Sequence, residues 1–109
     1  MMHRFPPPPP AYVYLPTGST AVSNPMDMYG YAKCRVYVQT TQTGTRIDVT
    51  VKGAPNESGI YAPELGTEAA KTGITGTTSY VLQDISRFLR IEVANFTGNW
   101  TIWVVPLQV

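Results

Sequence analysis

At 109 residues the chain is long enough for one hydrophobic core and too short for two. Only 14% of its residues are charged, against a usual quarter, and the formal net charge is +1; that balance argues against electrostatic capture of nucleic acid or of an anionic membrane surface. With 43% apolar residues, seven Tyr, two Trp and three Phe the chain as a whole is not disordered, and so little charge suits a β protein held in an assembly better than one diffusing alone.

Residues 1–31 read as an extended arm and the loop that leads into a domain, with the domain itself at 32–109. The start, MMHRFPPPPP, lacks the apolar run of an export signal, and no apolar stretch approaches the ~18 residues of a membrane-spanning helix. Pro6, Pro7, Pro8, Pro9 and Pro10 have fixed φ and no N–H, so they join neither helix nor ladder. As polyproline II they make a stiff rod of roughly 15 Å. Arg4 and Phe5 precede the rod; Tyr12, Tyr14 and Leu15 follow it. Aromatics on both sides are more than a linker needs, so these ten residues are expected to grip a neighbouring subunit. A frayed terminus is the plain alternative. A ligand for a proline-recognising domain is a third. Further on, residues 19–22 read as a short edge strand broken by Asn24-Pro25. Met26 to Tyr31 read as a loop whose Met and Tyr side chains cover the core or touch a partner.

The strand signal is strong from Ala32. Cys34, Val36, Val38 and Thr40 share one face, with Lys33, Arg35, Tyr37 and Gln39 on the other. Thr41 to Gly44 reads as a hairpin turn, and the chain returns through Ile47, Val49 and Val51 inward, Arg46, Asp48, Thr50 and Lys52 outward. Pro63 marks residues 60–65 as an edge. Residues 68–71 suit one helical turn at most, and Gly73 to Gly76 suit a loop or short strand. Tyr80 and Leu82 then alternate with Val81. A second hairpin is expected where Leu89, Ile91 and Val93 lead through Thr97-Gly98-Asn99 to a last strand from Trp100. Six to eight short antiparallel strands and no convincing helix make the class all-β, a β-sandwich or small jelly roll.

The last strand carries the functional signal, because it is apolar on both sides. Trp100, Ile102 and Val104 form one face, but Trp103 and Val105 are apolar on the other. A strand of that kind lies between layers or meets a partner chain. Tyr37, Trp103 and Val105 are therefore the expected oligomer interface, with Trp100 in the core. The competing use of Trp100, Trp103, Tyr37, Tyr29 and Tyr31 is a flat platform that stacks on sugar rings.

Catalysis is not expected. The only histidine is His3, in the arm, so the domain has no His-based acid–base pair or triad. No serine sits in a G-x-S-x-G elbow, and the glycines fall in turns rather than a phosphate loop. The lone Cys34 forms no intrachain disulfide and no cysteine metal cluster; it reads as a buried hydrophobe. Neither metal nor cofactor is expected. Asp48 and Glu92 are read as surface partners of Lys and Arg across strands.

The run RVYVQTTQTGTRIDVTVKGAPNESG, followed after a spacer by GTEAAKTGITGTTSYVLQDISRFLRIEVANFTGNWTIWVVP, resembles small β-sandwich structural proteins of tailed bacteriophages. The carriers are the V-x-V-x-G step at Val49 to Gly53, the Y-V-L-x-D-I-x-R-F-L-R-I element at Tyr80 to Ile91, and a final strand after a Thr/Gly-rich turn. The resemblance implies a capsid decoration or cement protein on the virion surface, made in the host cytoplasm. It also implies a homo-oligomer, with a trimer favoured, and the major capsid protein as partner, without nucleic acid or membrane. A tail- or fibre-associated receptor- or glycan-binding module is the alternative within the same group.

Overall fold

A computed structural model describes residues 11–18 and 20–107. In chain order the strands are β1 (Tyr12–Tyr14), β2 (Thr20–Val22), β3 (Met26–Asp27), β4 (Lys33–Gln39), β5 (Ile47–Ala54) and β6 (Ala62–Pro63). After a single 3₁₀ turn, Thr67–Ala69, come β7 (Ala70–Ile74), β8 (Thr78–Gln83), β9 (Phe88–Ala94) and β10 (Thr101–Leu107). They form two antiparallel sheets, as an all-β sandwich requires. The front sheet runs β1-β10-β4-β8. In the back sheet β9 and β5 are central, with β2 and β3 in succession along one side of β9 and β6 and β7 along the far side of β5.

Period-2 alternation in the four long strands builds the core. Cys34, Val36 and Val38 of β4 and Ile102 and Val104 of β10 face Ile47, Val49 and Val51 of β5 and Leu89, Ile91 and Val93 of β9, all essentially inaccessible to water. Trp100, Met26 and Met28 close the ends of this layer. The two methionines are thus core lids.

Neither expected hairpin forms. β4 and β5 lie in different sheets, as do β9 and β10, so the segments after β4 and after β9 are arches from one layer to the other. The reason is geometric: each of these strands has one apolar face, and an arch places two such faces against each other, which a hairpin within one sheet does not. The arches brace one another. Thr40 Oγ1 donates to Asn99 O at 2.8 Å, the Asn99 N–H donates to Gln42 Oε1, and the Thr97 N–H donates to Arg46 O at 3.0 Å.

The boundary expected at residue 31 does not divide the structure, because β1, β2 and β3 are all hydrogen-bonded into the sandwich. Asn24-Pro25 does interrupt the edge, and Ser23 bridges the gap. Its N–H donates to Ile91 O at 2.8 Å, and its buried Oγ accepts the Ile91 N–H at 2.9 Å. The opposite edge is held by Asp48. Its Oδ2 accepts from Asn95 Nδ2 at 3.0 Å, and its Oδ1 from the Gly73 N–H at 2.7 Å and from Arg46 at 3.1 Å. These donors, Asn95 first, hold its carboxyl below the ordinary carboxylate range.

Ser23→Ala leaves the Ile91 N–H buried without that acceptor and should cost about 1–3 kcal/mol in urea unfolding. A depressed carboxyl contributes stability that is complete above its unfolded value of about 3.9 and is lost as pH falls through the folded value. Stability should therefore hold from neutral pH to about pH 5 and then decline, and Asp48→Asn should be weaker at neutral pH with a shallower acid slope.

Candidate functional site

The two sheets differ in what they show to solvent. On the back sheet two cations are paired with carboxylates and a third is covered by a ring: Lys52 Nζ lies 2.8 Å from Glu92, Arg46 lies 3.1 Å from Asp48, and the Arg90 guanidinium stacks 4.6 Å from the Tyr61 ring centre. The front sheet has no such cover. Its outward residues are Val13 on β1, the odd-numbered positions of β10 and β4, and Ser79, Val81 and Gln83 on β8. None of them is acidic.

Register assembles these residues into a stripe. Val13 lies opposite Trp103, Trp103 opposite Tyr37, and Tyr37 opposite Ser79, so an aliphatic and two aromatic side chains stand in line across the sheet. Directly opposed side chains sit about 4.5–5.5 Å apart at Cβ and act as a unit. Val105 is one step along β10, opposite Arg35, and Val81 lies beyond Arg35. Val13 is 47% exposed and Trp103 36%. A shallow groove of about 220 Å³ runs between Tyr37, Gln39, Trp103 and Val105. The rim is basic. Arg35 lies 5.9 Å from the Tyr37 ring centre, and neither it nor Lys33 forms an ion pair among the described residues. The arrangement is an apolar, aromatic-centred surface with two cations that have no carboxylate partner among the described residues, suited to binding a complementary surface.

Of the residues proposed from the sequence, Tyr37, Trp103 and Val105 converge on this stripe. Trp100 goes to the core at 3% exposure, its Nε1–H donating to Thr97 O at 2.8 Å. The five-aromatic platform is thereby divided. Tyr29 stands apart, its ring 5.9 Å from Arg87, which holds Asp27 through Nε at 2.6 Å and Nη2 at 3.1 Å. Tyr12 and Tyr14, proposed as part of a gripping arm, turn inward against this chain's own core; the Tyr12 hydroxyl donates to Asp27 O at 2.9 Å. Leu15 is 63% exposed, just beyond β1. Arg4, Phe5, Pro6, Pro7, Pro8, Pro9 and Pro10 lie outside the described residues.

Sequence reasoning overlooked Val13 and Val81. For Val13 the signal was present, since Tyr12-Val13-Tyr14 is an alternating triplet whose middle residue faces out once its tyrosines face in. Val81 needed the register, which no local pattern supplies.

Among the described residues no group of three His, Cys, Asp or Glu side chains is placed to hold a metal ion, and no helix is long and apolar enough to cross a membrane. Burial pushes the Cys34 thiol up to about 12. No family model, no curated protein and no solved structure matches the chain.

The two tryptophans provide a test of the facing. Trp100→Ala should lose about 3–5 kcal/mol in urea unfolding, whereas Trp103→Ala should stay within about 1 kcal/mol of the parent. In the folded protein Cys34 should resist iodoacetamide at pH 8 and react only in denaturant.

Proposed function

We propose that this chain is a non-enzymatic structural protein that attaches to a larger protein assembly through the outer face of its front sheet. The observation that carries this is the asymmetry between the faces: one pairs Lys52 with Glu92 and Arg46 with Asp48, the other offers Val13, Trp103, Tyr37 and Val105 to solvent beside Arg35 and Lys33, which have no carboxylate partner among the described residues. Burying such a stripe releases apolar surface at about 25 cal/mol per Å², and the cations favour a partner with carboxylates at the edge of its own apolar patch.

The finer reading is a capsid decoration protein of a tailed bacteriophage, bound to the major capsid protein of the assembled head. It is supported by the order of strand and turn types from Lys33 to Pro106, by the low charge, and by the proline-rich start of the chain. A protein that binds only the assembled lattice stabilises it by mass action. A host-attachment module that stacks on glycans has one observation in its favour, Gln39 beside the aromatic pair.

Co-sedimentation with empty phage heads separates the readings. Trp103→Ala and Tyr37→Ala should each lower head occupancy at least tenfold while the domain stays folded. Removal of residues 1–10, which leaves β1 intact, should also lower it if the proline run adds contacts. Unchanged occupancy in both point variants, together with binding of purified polysaccharide that Trp103→Ala abolishes, would transfer the surface to a sugar ligand.

A further inference from the structure

We propose that the far edge of β8 pairs with β8 of a second copy, so that two front sheets join into one. The pairing itself needs no assumption about what the outer face binds; its consequence for attachment rests on the reading given above.

Sheet edges expose unpaired N–H and C=O groups, and proteins blunt them with short strands, proline, charge or irregular register. Among the described residues every other edge is blunted, β3 by its length of two residues. β1 and β2 have three residues each, β2 gives way to Asn24-Pro25, and β6 contains Pro63. β7 carries Lys71, has a left-handed Gly73, and shifts register against β5. β8 has none of these devices. It is six residues, TSYVLQ, without charge, proline or glycine, and among the described residues no strand lies on its far side.

The ladder also fixes which backbone groups are free. The Thr40 N–H donates to Thr77 Oγ1 at 3.1 Å, that hydroxyl donates to Thr40 O at 3.0 Å, and the Ile85 N–H donates to Ala32 O at 3.1 Å. The even-numbered residues of β4 therefore turn their backbone groups towards β8. Bonded and non-bonded pairs alternate in an antiparallel ladder. Cys34–Leu82, Val36–Tyr80 and Val38–Thr78 are then the bonded pairs. Three donors and three acceptors, on Ser79, Val81 and Gln83, point away from the sheet.

Beside this edge the sandwich is open. Clefts of about 450 and 280 Å³ flank the two halves of β8, walled on the other side by β7 and the 3₁₀ turn. The charges across them, Glu68 and Lys71, are 3.0 Å apart and neutralise each other. The proline run of this chain cannot fill the position, because it has no N–H to give. β8 itself can. A twofold axis perpendicular to the sheet and midway between the two strands sets Val81 against Val81 of the second copy, Ser79 against Gln83, and Tyr80 against Leu82. Each pair keeps its facing, with apolar side chains opposite apolar ones in the inner layer; a one-residue slip would set Tyr80 against Val81 and mix the faces. The same axis leaves both Tyr37–Trp103 stripes on one side of a continuous sheet. The assembly is thus a bivalent platform with a twofold, in place of the threefold implied by the resemblance.

Sedimentation equilibrium of the full chain at tens of micromolar, with Val81→Pro and Val81→Lys, tests the pairing. The Val81 N–H faces away from β4, so proline there removes no ladder bond and the fold should persist by circular dichroism. The parent should sediment as a dimer, both variants as folded monomers, and Trp103→Ala as a dimer. If Val81→Pro does not fold, Val81→Lys decides alone. A monomeric parent, or a dimer that the folded variants retain, overturns the proposal. A monomer that still binds heads through Trp103 would defeat the pairing and leave the attachment surface standing, whereas a β8-dependent dimer that ignores heads would do the reverse.

Discussion

The sandwich depends on the two arches at one end being locked to each other. They carry the chain between layers after β4 and after β9, and their mutual hydrogen bonds fix how the inner faces of β4 and β10 lie over those of β5 and β9. Gly98 makes the close approach feasible. Its φ is +81°, and a Cβ there would run into Thr45 and Gln42 of the other arch. With that end pinned, each apolar side chain has one opposite number, and a small domain reaches a well-defined core without a disulfide.

From this alignment follows the difference between the two exteriors. The back sheet receives the outward-facing charges of β5 and β9: Lys52 and Glu92 pair across the two strands, Asp48 pairs with Arg46 beside it, and Arg90 stacks on the Tyr61 ring. The front sheet is built from β4 and β10, and β10 brings Trp103 and Val105 to a surface with no acidic residue. The outer stripe is therefore not surplus core residue pushed outward for lack of room, since the core is filled by the opposite faces of the same strands.

Alternation told which side of each long strand is buried, and it did so from Cys34 to Val104 with little ambiguity. It could not tell which strand is the neighbour. The inner face of β5 would look the same whether β5 returned beside β4 or crossed to the facing sheet, so both arches read as hairpins. Nor could it anticipate that Tyr12 and Tyr14 belong inside. Proximity to five prolines made them look like part of the rod, while their actual environment comes from β10 beside them and from the Asp27 backbone, fifteen residues away. A short piece such as β3 exists only because a long strand supplies a template, which is why no local pattern announces it, whereas Pro63 did mark β6 as an edge. Tyr37, Trp103 and Val105 were legible in the surface stripe because β10 breaks its alternation at Trp103 and Val105; Val81 joins them only through cross-strand register.

The interrupted margins of the back sheet bear on how the protein can multiply its contacts. Pro25 and Pro63 close that layer in both directions, and the front layer is closed at the β1 side, where the strand is three residues long. A molecule with one docking margin can acquire a single mate and is then saturated. Runaway fibre growth, the usual hazard of a sparsely charged β protein stored at high local concentration, has no second end from which to propagate.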